Sequence, residues 1–499
     1  MEMLMAEPQT NSRPRRRVAI IGAGFSGICV AIHLRKSALY DFTLFEKAES
    51  IGGTWRDNAY PGAVCDVPSI SYSYSFAMKL DWSRKWSPQS EILAYIEDCA
   101  HKYDVYRQIH FSTEIQHAEF DNERSVWVLT TAHGAVHEAD ILITGTGQLN
   151  RPLIPDIPGL ESFEGPKFHS ARWDHSVELA KKRIAVIGSA ASAVQLVPEV
   201  AREAARVSVL QRTANWIMPM GNRNYSETEI QRRKDHPWLT RFYRWLTYLS
   251  FEARWPLFKG NRFLQKSAEK FVLRHLEETI RDPMLRDALT PDYPLGSRRL
   301  LTSDHFLPAL NRENVDLVTD RIDHIEAGGV VTASGRKIPA DVLVLATGFR
   351  STEFLAPMEI VGRNGKTLQD AWSHGAEAYL GLTVSNFPNF FMMYGPNTNL
   401  GHNSIIFMIE CQTAYIMDCL RQMDEGKLCS LDLKQDVMQR FNAKIQKELE
   451  HTVFAQAERS WYKTAAGKIT NNWSTTTIRY WLQTRRVNLA DYMVSRDNT

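Results

Sequence analysis

Arg17-Val-Ala-Ile-Ile-Gly22-Ala-Gly24-Phe-Ser-Gly27 runs from an apolar strand into a turn with glycines at three spaced positions. The next residues, Ile28 to Ala38, read as a helix, and a second strand, Phe42-Thr-Leu-Phe-Glu46, ends in a carboxylate. Strand, glycine turn, helix, strand and terminal acid, in that order, make the βαβ unit that binds dinucleotides. Gly22 permits the tight turn, Gly24 lets the backbone approach a pyrophosphate, and Gly27 lets helix and strand pack closely. The amino end of the helix offers free N–H groups to the phosphates, and Glu46 stands where it can accept ribose hydroxyls.

A second unit begins at Lys182-Arg-Ile-Ala-Val-Ile-Gly188 and turns through Ser189, Ala190, Ala191, Ser192 and Ala193. Alanine is common at the third glycine position; Ala190, at the second, makes backbone approach tighter. The following strand, Arg206-Val-Ser-Val-Leu-Gln-Arg212-Thr213, ends in a base. Arginine pairs with a 2′-phosphate that a carboxylate would repel. The second site is therefore expected to take NADPH, and the first a dinucleotide without that phosphate. Two apolar strands that end in Thr-Gly, Ala139 to Gly147 and Ala340 to Thr347-Gly348, bracket the second unit. The expectation is an α/β chain with two Rossmann-like dinucleotide domains. The first occupies 1–150 and 385–499, the second 151–221 and 293–384, and a helical insert fills 222–292. In that insert Phe242, Trp245, Tyr248, Phe251 and Trp255 recur every three or four residues, the period of an amphipathic helix expected to pack within the second domain, with docking on a membrane surface as the competing reading.

Composition bounds the rest. The 499 residues carry 59 Lys+Arg against 57 Asp+Glu, a formal charge of +2, which argues against a nucleic-acid binder. No apolar run approaches the about 20 residues of a membrane-spanning helix. The opening MEMLMAEPQTNSRPRRR has no apolar core, so no secretory signal is read there. The basic cluster Arg13 to Arg17 is expected to be a solvated lead-in, and Val494 to Thr499 a frayed end. The six cysteines form no CxxC pair, which excludes a zinc ribbon and a dithiol centre. No metal is expected, and a reducing, cytoplasmic location is the default.

Two longer motifs carry a resemblance. Phe163-x-Gly165-x-x-x-His169-x-x-x-Trp173-Asp174 and Gly52-Gly53-Thr54-Trp55-x-x-x-x-Tyr60-Pro61-Gly62-x-x-x-Asp66 match, at every fixed position, the two fingerprints of the Baeyer–Villiger monooxygenases, class B flavoproteins. The resemblance extends from about residue 15 to about residue 485. Ser297-Arg298-Arg299-Leu300 resembles the family segment with the active-site arginine, Ser297-Arg298 standing where Cys-Lys is usual. Gly395-Pro-Asn397-Thr resembles the turn that closes over the flavin ring, and Trp461 falls where the family has a tryptophan on a mobile loop, near 461–472.

The resemblance implies FAD in the first site and NADPH in the second. It also implies a cycle in which reduced flavin captures O2 as a C4a-peroxide that converts a ketone to an ester or lactone, with sulfides as further substrates. On it, Arg299 and Asp66 are the catalytic pair. Gly22, Gly24, Gly27, Glu46, Gly53, Thr54, Trp55, Asp66 and Tyr72 bind cofactor, as do Gly188, Ser189, Ser192, Arg212, Thr213, Arg298, Thr347, Gly348, Asn397 and Trp461. His169 and Trp173 are given no chemistry and are expected to couple the domains. The partners are a small ketone or sulfide and O2, and the chain is expected to be a monomer or weak homo-oligomer. A flavin monooxygenase of sulfur or nitrogen, and a non-oxygenating NADPH oxidase or reductase, are the competing readings.

Overall fold

The computed structural model describes residues 15–458 and 460–496. Two five-stranded parallel sheets organise it. In the first, the spatial order is Phe390–Met392, Ile141–Thr144, Arg17–Ile21, Asp41–Phe45 and Ile109–His110. In the second it is Lys167–His169, Val342–Leu345, Arg183–Ile187, Arg206–Leu210 and Val315–Val318. Each sheet has its βαβ unit at the centre, but the outer strand beside Ile141–Thr144 is the last of its sheet in the chain, whereas the one beside Val342–Leu345 is the first. These strands are continuous apolar runs because both faces are covered; Val18, Ile20, Leu142, Val186 and Val344 are at most 1% exposed.

The glycines of the first turn act as the spacing requires. A Cβ on Gly27 would lie 1.9 Å from the Gly22 carbonyl oxygen, so helix Phe25–Ser37 can sit this close only with hydrogen there. Gly188 has φ +115°, and a Cβ on it would lie 2.4 Å from the Ala346 carbonyl. The chain leaves the first sheet after Thr144, builds the second, and rejoins the first at Phe390. The return is under way before residue 385: Glu359–Val361 pairs with His117–Glu119 of a mixed sheet beside the first unit. Residues 359–361 thus pair with a strand beside the first sheet.

The insert departs from expectation more sharply. Helix Pro237–Glu252 turns Thr240, Phe251 and Glu252 inward, with Arg244 and Tyr248 on the same stripe. Arg244 donates to the Ile70 carbonyl (3.0 Å), Ser73 Oγ (3.1 Å) and the Ser73 carbonyl (2.8 Å). Glu252 accepts from Asn403 Nδ2 at 2.8 Å and Thr477 Oγ1 at 2.6 Å. This helix is thus tied to the first unit, while helix Arg262–Thr279 packs on the second through Val272, beside Trp216 and Leu295. Phe242 and Trp245, expected inside, are 49% and 54% exposed. Tyr248, Phe251 and Trp255 of the expected stripe do turn inward, while Phe242 and Trp245 are left outside because the polar anchors Arg244 and Glu252 share the inner side. Glu252→Ala is expected to lower stability by about 1–3 kcal/mol, since it strands buried donors on Asn403 and Thr477; denaturant unfolding measures it.

Both chain ends correct the sequence reading where they are described. Arg16 is no solvated lead-in: its Nε donates to Asp424 at 2.6 Å and its Nη2 to the Leu428 carbonyl at 2.6 Å. Val494 to Arg496 belong to strand Tyr492–Arg496, paired antiparallel with Leu428–Leu433. Arg13, Pro14 and residues 497–499 lie outside the described residues. Among the described residues no helix is long and apolar enough to cross a membrane, no acid, histidine or cysteine cluster could hold a metal, and the six cysteines are free.

Candidate active site

One cavity of about 1750 Å³ runs along the carboxyl ends of both sheets. Pockets for single small molecules span about 300–1,000 Å³, so this one has room for two dinucleotides. Every residue singled out for a site lines it except Gly27 and Asn397. Gly27 acts in packing. Asn397 is 2% exposed, and its amide is spent on the carbonyls of Ile469 (2.9 Å) and Asn472 (3.0 Å).

At the first sheet, Gly24 caps helix Phe25–Ser37 with no side-chain acceptor on its N–H groups and no acid in its first turn. Gly24 and Gly53 face each other: a Cβ on Gly53 would stand 3.3 Å from Gly24 Cα and narrow the cleft between them. Such a bare backbone cradle suits a pyrophosphate. Glu46 is 4% exposed and already accepts from Ala23 N–H (2.8 Å), Ala48 N–H (3.0 Å) and Arg56 Nη1 (3.1 Å). A carboxylate has about four acceptor directions, so one remains on a residue that lines the cavity. Arg56 had escaped notice because nothing local announces a contact across ten residues of loop. It also binds Asp57 (2.8 Å), whose other oxygen lies 3.5 Å from Arg172 in the His169 fingerprint.

At the second sheet, Ala190 caps helix Ala191–Val200, again without a side-chain cap. Arg212 is exposed at the end of its strand. Arg298 lays its guanidinium 4.4 Å from the Tyr293 ring centroid, and its buried Nε has no protein partner. Two arginines with free donors beside a bare helix end suit a phosphorylated dinucleotide. His169 donates from Nε2 to the Gly348 carbonyl (3.0 Å) and accepts the Ala171 N–H on Nδ1 (3.0 Å). Burial also lowers its pKa, so it stays neutral with both nitrogens occupied and has no proton to exchange. It ties the fingerprint to the Thr347-Gly348 turn.

Between the sheets lies Arg299. Its Nε donates to Asp66 Oδ2 at 3.0 Å and its Nη2 to the same oxygen. Both side chains remain about a third exposed, at 36% and 32%, and that exposure faces the cavity. Asp66 holds the guanidinium still further above its ordinary range. Burial pushes Tyr60 and Tyr462 up to about 12 and Tyr394 higher, so these phenols around the pair stay neutral. The charge here is the Arg299–Asp66 pair, with no base among its aromatic neighbours. Trp55 Nε1 donates to the Tyr72 hydroxyl at 3.1 Å.

The loop expected to move is more anchored than its polarity suggested. Ser351 Oγ donates to the Trp461 carbonyl at 2.8 Å, Tyr462 is 1% exposed, and Asn471 and Asn472 are fully buried. Only Ala465 to Gly467 are open to solvent, so any closing motion belongs to that tip.

The chain is similar to known proteins over nearly its whole length. The family described as flavin-binding monooxygenase-like matches residues 15–230. A Baeyer–Villiger monooxygenase of Pseudomonas aeruginosa is 39% identical over 491 residues, covering 98% of this chain and 93% of that one. Another, of Streptomyces coelicolor, is 40% identical over 482 residues, covering 96% and 93%. The crystal structure of OTEMO in complex with FAD and NADP superimposes with a TM-score of 0.88 at 26% identity, over 97% of this chain and 100% of that one.

Proposed function

Because this chain belongs to the Baeyer–Villiger monooxygenases, we propose that its cavity holds FAD against Gly24, Gly53 and Glu46, NADPH against Ser189, Arg212 and Arg298, and a ketone beside Arg299. The enzyme is an FAD- and NADPH-dependent monooxygenase that inserts one atom of O2 next to a ketone carbonyl. Bound flavin supplies the redox chemistry, taking electrons from NADPH and passing oxygen to the substrate. The protein supplies binding, orientation and charge.

The observation that carries this reading is the Arg299–Asp66 pair opening onto a cavity shared by two dinucleotide sheets. Oxygen insertion builds negative charge on oxygen. Arg299 offers a planar, permanently charged set of donors for it. Asp66 accepts from two nitrogens along one edge of that plane, which fixes its orientation and leaves the remaining N–H groups for the cavity. The same arrangement admits a sulfide as oxygen acceptor, so we extend the substrate class to sulfides. We assign 1–150 to the flavin unit, which the chain rejoins before Glu359, and the second sheet to the nicotinamide unit.

Purified yellow protein, NADPH, O2 and a ketone panel test the reading. Ester formation matched to NADPH consumption supports it. Peroxide without oxygenated product would make the protein an oxidase. Arg212→Ala is expected to raise the KM for NADPH by about 10–100-fold, the worth of a charge-assisted hydrogen bond, and to leave the KM for NADH unchanged. Equal effects on the two cofactors would remove Arg212 from the 2′-phosphate site.

A further inference from the structure

Helix Pro237–Glu252 leaves most of its aromatic side chains outside. Its inward stripe holds Thr240, Arg244, Phe251 and Glu252, while its outer face shows Trp238 (67% exposed), Phe242 (49%), Tyr243 (50%), Trp245 (54%) and Leu246 (40%). Phe242 and Trp245 stack on one another at 6.2 Å in solvent. Tyr248 of this helix meets Thr477 (2.9 Å) at the start of helix Thr477–Thr484. That second helix exposes Ile478, Trp481 and Leu482 on one face. An apolar surface this rich in aromatics marks an interaction site.

Charge says what covers it. The whole chain balances 59 bases against 57 acids, but these segments do not. From His236 to Ala268 the only carboxylate is Glu252, which points inward, and from Asn471 to Ala490 there is none. The same stretches expose Arg241, Lys259, Arg262, Lys266, Arg485 and Arg486, none of them in an ion pair among the described residues. Arg485 lies over the Trp481 ring at 4.6 Å. Asp235, just before the helix, accepts from Gln231, and Glu269, just after the stretch, from the Leu295 N–H; tryptophan, tyrosine and phenylalanine amid unpaired cations, with few carboxylates, form the surface that an interfacial helix presents to anionic lipid. A second copy docked through this face would bring like charges together. We propose that helices Pro237–Glu252 and Thr477–Thr484 seat the enzyme on an anionic bilayer surface.

The placement has a chemical consequence that rests on the assigned activity. Tyr248 packs on Phe407 with ring centroids 5.0 Å apart, and the neighbouring Ile405, Ile406 and Ile409 line the cavity. The lipid-facing helix thus backs onto a wall of the reaction chamber, which suits a ketone dissolved in the membrane.

Flavin-loaded enzyme sedimented with vesicles of phosphatidylcholine, alone or mixed with phosphatidylglycerol, tests the docking without reference to turnover. The protein is expected to pellet with the mixed vesicles, to be released by high salt, and to shift its tryptophan emission to the blue. Replacing Trp238, Phe242 and Trp245 together by serine is expected to cut partitioning at least about tenfold while flavin content and turnover of a water-soluble ketone stay unchanged. A charge variant, Arg241→Glu with Arg485→Glu, should lose the preference for phosphatidylglycerol. Failure of the wild-type protein to pellet with either vesicle overturns the proposal, as does binding that survives both variants. A dimer broken by the serine variant, without vesicle binding, would assign the face to a second copy instead.

Discussion

Arg299→Ala is expected to reduce ester formation by at least about 10²–10³ in rate, the typical loss when one preorganised donor to a developing oxyanion is removed. The flavin should remain bound, because the cradle at Gly24 and Gly53 and the carboxylate of Glu46 lie on other elements. Asp66 would then stand in the cavity without its cation, adding repulsion where negative charge develops. The substitution therefore both deletes a favourable charge and uncovers an unfavourable one, and Arg299→Ala with Asp66→Ala should recover part of the loss. Arg299→Lys keeps the charge but not the fork, and should fall between. The deficit should not vary across the neutral pH range. Asp66 raises the guanidinium's already high pKa, so its contribution is complete well below that value and would be lost only far into alkali. Product yield per NADPH, followed beside peroxide release, is the measurement. Unimpaired ester yield would remove Arg299 from the chemistry.

Gly188→Val is expected to separate the two cofactor sites. At φ +115° a side chain is strained wherever it points, and here its first atom would stand 2.4 Å from the Ala346 carbonyl. Strand Arg183–Ile187 and strand Val342–Leu345 cannot part without opening their shared ladder. The turn that presents Ser189 and the start of helix Ala191–Val200 must deform instead. Reduction by NADPH should drop more than about 100-fold, on the order of 3 kcal/mol, within the range for strain at a special backbone position. The protein should still purify yellow and still be bleached by dithionite, since the first sheet shares no strand with the second. Loss of flavin together with NADPH reduction would mean that the units fold as one.

Much of the architecture was legible because its signals are local. An apolar run, a glycine turn and a terminal acid or base declare a dinucleotide unit within about thirty residues, and both units stand where their glycines put them. The first long fingerprint likewise puts Asp66 and Trp55 on the cavity wall. What escaped depends on contacts distant in sequence. Arg16 meets Asp424, 408 residues away, and so is no free lead-in. Asn397, singled out because its turn resembles the one that closes over a flavin ring, gives its amide N–H groups to two carbonyls of the returning loop. The aromatic helix had the right period, yet periodicity says only that a helix has two faces. Which face is buried was decided by Arg244 and Glu252 finding partners at Ile70, Ser73, Asn403 and Thr477.

The nested placement of the second sheet has a mechanical meaning. It hangs from the first by two chain crossings, one leaving after Thr144 and one returning before Phe390, and the turns Gly145 to Gly147 and Thr347-Gly348 on those crossings both line the cavity. Between those crossings the two units are also joined by side chains: Arg299 pairs with Asp66, Tyr60 with Gln195 and Arg172 with Asp57. Any change in the gap between the two dinucleotide cradles would have to stretch these pairs first, so that gap is set by side-chain contacts as well as by the path of the chain.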